Sequence, residues 1–200
     1  MGKLIYGVGV SESGEFKRTV VVDGKRVRMK EYMLWYNMLQ RCYSEECQQK
    51  HPTYTGCTVS EDFKYFQRFA RWCQSQVGFD LEGYQLDKDI LLRCNKVYSE
   101  EVCVFVPRNI NSLLTKSDAA RGNCLIGVNL HNHTQKYVAQ CSDGAGNRVY
   151  LGLFTTQEAA FDVYKVYKEV LIKRLANEYK DALDYRVFDA LMAYEVNADD

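Results

Sequence analysis

The side chains able to carry chemistry in this 200-residue chain are eight cysteines, three histidines and one tight group, Asp87-Lys88-Asp89. Cys42, Cys47, His51 and Cys57 lie close enough in sequence to raise the question of a zinc site. Structural zinc is usually held by paired short spacings, and no CxxC pair occurs anywhere in the chain. Several of the cysteines fall in apolar strand or helix patterns, where a reduced thiol behaves as a small hydrophobe. The Asp87-Lys88-Asp89 group reads as an ion-pair cluster on a solvated strand end. A lysine in water has a pKa of about 10.4 and is protonated near neutrality. It acts as a base only when desolvated or crowded by cations, and two flanking aspartates hold it charged instead.

The elements that position these groups predict an α+β chain. Residues 4 to 30 read as strands: YGVGVS alternates, and TVVVDGKRVRM is a hairpin with Asp23-Gly24 at its turn. Glu31 to Cys42 reads as a helix with Met33, Tyr36, Met38 and Leu39 on or near one face. Ser60 has the chemistry of an N-cap for a second helix carrying Phe63, Phe66, Phe69 and Trp72, a row at helical spacing that belongs in a core. Gln85 to Leu92 and Cys103 to Val106 are strand-like, and Pro107 starts a short helix, RNINSLL. SDAARGN, residues 117–123, is polar and small and reads as a linker between a region 1–116 and a region 124–180.

The second region predicts three short strands and one long helix. Alternation turns Tyr137, Ala139 and Cys141 inward and Lys136, Val138, Gln140 and Ser142 outward. Arg148 and Tyr150 face outward on the third strand, and Asn129 and His131 on the first, with His133 near the turn. In the helix Gln157 to Tyr179, Ala159, Ala160, Val163, Tyr164 and Tyr167 are expected on the sheet, with Thr155 or Thr156 as cap.

Hydrophobic content of 46% excludes a disordered chain. No apolar run reaches the ~18 residues of a membrane span, and the first residues lack a signal-peptide core, so a cytoplasmic protein without membrane contact is expected. The net charge of zero is unevenly spread: residues 1 to 180 hold 25 Lys+Arg against 20 Asp+Glu, while residues 181 to 200 hold Arg186 against six acids. The body is mildly basic. The acidic end reads as a solvated helix, or as a tail that competes with an anionic partner such as nucleic acid for the basic face or meets a basic partner.

Two resemblances add to this. GVNLHNHTQKYVAQCSDGAGNRVYLGLFTTQEAAFDVY resembles the AP2 DNA-binding domain, whose pattern is a GV strand, a K-aromatic-x-A strand, an LG-x-F strand and T-x-EEAA-x-AY. The resemblance implies a three-stranded sheet laid in the DNA major groove with a long helix behind it. It makes Asn129, His131, Lys136, Gln140, Arg148 and Tyr150 the DNA-facing residues. Only two of these are permanent cations, so weak, salt-sensitive binding is expected from this unit alone.

Upstream, W-x2-ML-x-RCY, the F-x2-F-x2-F-x2-W row, LDKDI, NKVYS and C-x-FVP-x2-IN are similar to bacteriophage proteins related to HNH homing endonucleases, which often carry an AP2 domain. Such nucleases use a ββα unit to hold one divalent metal, which stabilises the leaving oxygen, and a histidine as general base. The resemblance implies a degenerate ββα middle region with extra helices. It places Asp87 at the strand metal position, Asn109 or Asn111 at the helix metal position, and Asn95 as the loop asparagine. Lys88 stands where the general-base histidine belongs. His51 could serve instead only if the fold brought it within hydrogen-bond reach. Three functions follow as expectations: a phage DNA-binding protein of HNH–AP2 ancestry without cleavage activity; a working nickase using Mg²⁺ or another divalent cation; or a phage inhibitor of a host defence protein.

Overall fold

The computed structural model describes residues 4–115 and 124–198; the linker expected at 117–123 lies outside them. The chain is mixed α+β with small sheets and divides into two compact units, residues 1–105 and 106–200. No helix among the described residues is long and apolar enough to cross a membrane.

The first unit begins with a turn, where alternation predicts a strand. Tyr6 and Gly7 take positive φ, and Ile5 pairs with Gly9 across them. Two glycines within YGVGVS let the backbone fold back, and that overrides the apolar alternation. The hairpin follows as expected: β1 (Thr19–Val22) pairs antiparallel with β2 (Lys25–Arg28). Asp23 and Gly24 both lie at positive φ, the geometry of a tight two-residue turn.

The helix α1 (Lys30–Tyr43) buries Trp35, Met38, Leu39 and Cys42, spaced i, i+3, i+4 and i+7. Met33 is two residues out of phase with Trp35 and remains exposed. After α2 (Glu45–Lys50) and the short β3 (Thr58–Val59), the Ser60 hydroxyl accepts from Phe63 N at 3.3 Å. That bond lies at the entry of a 3-10 turn, Asp62–Lys64, whose N-cap residue is Glu61, and not at the helix expected there; α3 (Phe66–Gln74) starts one turn later. Phe63, Phe66 and Phe69 are solvent-free, and Trp35 Nε1 donates to Phe63 O at 2.9 Å. The aromatic row is core.

The segment Gln85 to Leu92 is strand only in part. β4 (Tyr84–Asp87) stops at Asp87, and β5 (Val97–Tyr98) pairs parallel with β3. β6 (Val104–Pro107), beside β4 in a two-stranded sheet, carries the unit to its end at Phe105.

The second unit opens with α4 (Arg108–Leu114), which has Pro107 as its N-cap residue. β7 (Val128–His131), β8 (Lys136–Ser142) and β9 (Arg148–Phe154) form an antiparallel sheet in that order. The helix α5 (Gln157–Glu178), capped by Thr156, covers one face of it with Ala160 and Tyr164. Gly127, at φ +74, lies against the Tyr164 ring, where a Cβ would collide. Val163, expected inward, is exposed, and Lys168 is buried at 7% exposure. The acidic end is folded over its described residues, up to 198. α6 (Tyr185–Met192) buries Val187 and Leu191, and Lys165 donates to Val196 O at 2.7 Å.

Candidate functional site

Asp87 ends β4 by turning its carboxylate back on the chain. Its Oδ1 accepts from Asp89 N at 2.7 Å and Ile90 N at 2.8 Å. Burial raises its pKa above the usual aspartate value, opposed by those two backbone bonds. Lys88, next in sequence, turns inward and is 6% exposed. Its Nζ donates to Asp89 Oδ1 at 2.7 Å, Asp89 Oδ2 at 2.8 Å and Asn95 O at 2.6 Å, and lies 5.7 Å from the centre of the Tyr98 ring. The expected ion pair exists, but on a buried amine and, among the described residues, with Asp89 as its acid. These bonds direct the amine toward Asp89 and Asn95.

Asn95 closes the loop reciprocally. Its Nδ2 donates to Lys88 O at 2.9 Å and Val97 O at 2.7 Å, while its Oδ1 accepts from Val97 N at 3.0 Å. Asn95 therefore fastens Lys88 to β5, and no histidine is in the network. His51 is exposed at the end of α2, with its ring edge-on to Tyr54 at 6.2 Å. Among the described residues it has no hydrogen bond or ring contact with Asp87 or Lys88.

Asn109 and Asn111 belong to the second unit. Asn109 donates from Nδ2 to Tyr179 Oη at 3.1 Å and accepts at Oδ1 from Ile110 N at 2.9 Å; Asn111 is half-buried. Asp87 Oδ1 and Asn109 Oδ1 each accept from backbone N–H groups. Among the described residues no group of three His, Cys, Asp or Glu side chains could hold a metal ion. Of the four residues that raised zinc, Cys42 and Cys57 are core, and burial pushes the Cys42 thiol up to about 12.

The sheet is the second candidate. Directly paired residues share a face, so its register sorts the side chains. Asn129 pairs with Val138 and His131 with Lys136; Gln140 pairs with Tyr150 and Ser142 with Arg148. All six residues expected to face DNA therefore lie on one face, the side opposite the buried Val128 and Ala139. Tyr150 is 65% exposed. Among the described residues Lys136, Gln140, Arg148 and Tyr150 have no side-chain hydrogen bond or ion pair. His131 Nδ1 lies 2.8 Å from Thr134 Oγ1, and its ring 5.9 Å from that of His133.

One member of this face is missed by alternation. Ala139 pairs with Gly152 but Gln140 pairs with Tyr150, so Leu151 is an extra residue in β9. This bulge reverses the parity beyond it and puts Leu153 outward opposite Val138. Gly152, at φ +140, is the sequence signal that could have marked it.

Compared with protein-family models, with curated proteins and with solved structures, the chain matches none.

Proposed function

We propose that this chain is a phage-encoded DNA-binding protein of HNH–AP2 ancestry that holds duplex DNA on the exposed face of its three-stranded sheet and does not cut it. The observation that carries the reading is the shared face of Asn129, His131, Lys136, Gln140, Arg148 and Tyr150. These are groups that reach base edges: amides pair with adenine, and a guanidinium grips guanine or phosphate. The order of three antiparallel strands and one long helix supports the AP2-like part of the ancestry. Loss of cleavage is supported by Lys88, whose amine is tied to Asp89 and Asn95 and cannot act as a general base there. A nickase would need Mg²⁺ or a similar ion held through Asp87 with Asn109 or Asn111, and Asp87 Oδ1 and Asn109 Oδ1 each already accept from backbone N–H groups. The host cytoplasm, where DNA is met, is the compartment this reading implies.

A host protein as partner is the second reading. It is favoured by an apolar row of Val163, Val166 and Val170 exposed on α5 beside Leu151. Fluorescence anisotropy with duplex DNA separates the two. Retention at low salt that weakens in Arg148→Ala supports the sheet. No retention, with a host protein recovered in stoichiometric amount, supports the second reading.

A further inference from the structure

We infer that the β1–β2 hairpin is a second DNA-contacting element, a basic two-stranded ribbon that enters a groove of the duplex. The inference rests on the DNA-binding reading and supplies what the sheet face lacks, which is positive charge. Lys17, Arg18, Lys25, Arg26 and Arg28 stand against Asp23 alone, in a chain whose net charge is zero.

The structure leaves this ribbon bare. Every residue of β1 and β2 is exposed except the half-buried Val20. The register puts Thr19, Val21, Arg26 and Arg28 on one face and Val20, Val22, Lys25 and Val27 on the other. A hairpin that merely completed the core would bury one of these faces. Instead Val21 is 68%, Val22 49% and Val27 46% exposed. An isolated two-stranded ribbon is marginally stable in water, so one with bare valines on both faces gains from a partner. Its root is anchored: the Arg28 guanidinium lies 5.6 Å from the centre of the Tyr36 ring, and Met29 N donates to Arg18 O at 3.0 Å.

Charge and size select the occupant. Five cations on a short ribbon complement phosphate, and basic edges discourage strand addition by another protein. Four residues of strand span about 13 Å, and paired strands lie about 4.8 Å apart. The major groove, about 12 Å wide and 8.5 Å deep, admits a two-stranded ribbon, and valines can meet thymine methyls there.

The test uses the full chain and a fluorescein-labelled mixed-sequence duplex, with anisotropy read across a salt series. R18Q/K25Q/R26Q removes three hairpin charges and leaves Arg28 in place. K50Q/R68Q/R71Q removes three charges from exposed side chains elsewhere in the same unit, those paired with Glu46, Asp62 and Glu15. The hairpin variant should flatten the slope of log K against log salt by about 2–3, at unchanged circular dichroism, and the control by less than about 1. Arg26→Gln alone should flatten it by about 0.9, which keeps the test valid if the triple variant folds poorly. Equal slopes for the two triple variants would show that only bulk charge matters and overturn the inference. A hairpin variant with the wild-type slope, beside a weakened Arg148→Ala, would overturn it while leaving the sheet reading intact. If wild-type protein does not bind the duplex, both fall. A host-protein complex lost in Val22→Asp, with DNA binding unchanged, would assign the ribbon to protein and also overturn it.

Discussion

Asn95→Ala should destabilise the first unit by about 3 kcal/mol. The Asn95 side chain makes three hydrogen bonds, to Lys88 O, Val97 O and Val97 N, at 2.7 to 3.0 Å and at 9% exposure. Each is worth about 1 kcal/mol net, and more where truncation leaves a buried backbone group without a partner. Alanine also frees the backbone beside Cys94, a non-glycine residue held at φ 59. Urea unfolding followed by tryptophan fluorescence isolates the effect, because the two tryptophans, Trp35 and Trp72, both lie in the first unit. The midpoint should fall at an unchanged m-value, since the surface exposed on unfolding is the same. A loss below about 0.5 kcal/mol would refute the claim that Asn95 holds the loop together.

Asp87→Asn keeps an Oδ1 to accept from Asp89 and Ile90 while removing a carboxylate whose pKa burial raises, so it should be neutral or stabilising near neutral pH; Asp87→Ala should cost about 1–2 kcal/mol, and the same urea titration ranks them. Lys168 has its pKa lowered by burial, with Cys141 opposing the shift. Below the depressed folded value the fold bears the full penalty of a buried charge. That penalty fades as pH rises through the depressed value toward the ordinary one, because over that window the unfolded chain binds more protons. Lys168→Met should therefore raise stability by about 1 kcal/mol near neutrality. By about pH 10 the gain should shrink, as calorimetry at the two pH values would show. Gly127→Ala meets both an unfavourable φ of +74 and the Tyr164 ring, and should cost about 2–4 kcal/mol in thermal unfolding, which an effect below about 1 kcal/mol would contradict.

The parts of the fold that were legible in sequence are those fixed by local chemistry. Asp23-Gly24 marked the hairpin turn, the phenylalanine row marked the core, and strict alternation through Lys136–Ser142 sorted β8 into two faces. What escaped depends on tertiary detail. In YGVGVS the glycines decided for a turn, although the apolar pattern alone favours a strand. The bulge at Leu151 shifted Leu153 to the outer face, a change that periodicity cannot register. Composition places lysines in water, yet Lys88 and Lys168 are both buried, the first because Asp89 and Asn95 meet its ammonium there. Of the candidate site, the sequence named the members of the loop and the sheet face. It could not foresee that the loop asparagine, Asn95, would fasten Lys88 to β5.

The most direct test of DNA binding without cleavage is one gel. Purified protein is incubated with supercoiled and linear DNA at low salt, with Mg²⁺, with Mn²⁺ and with chelator, and retardation and nicking are scored in the same lanes. The account predicts retardation that does not depend on the metal, fades as salt is raised and weakens in Arg148→Ala, with no conversion of supercoiled DNA to open circle. Metal-dependent nicking that disappears in Asp87→Ala would contradict it, as would the absence of retardation at any salt.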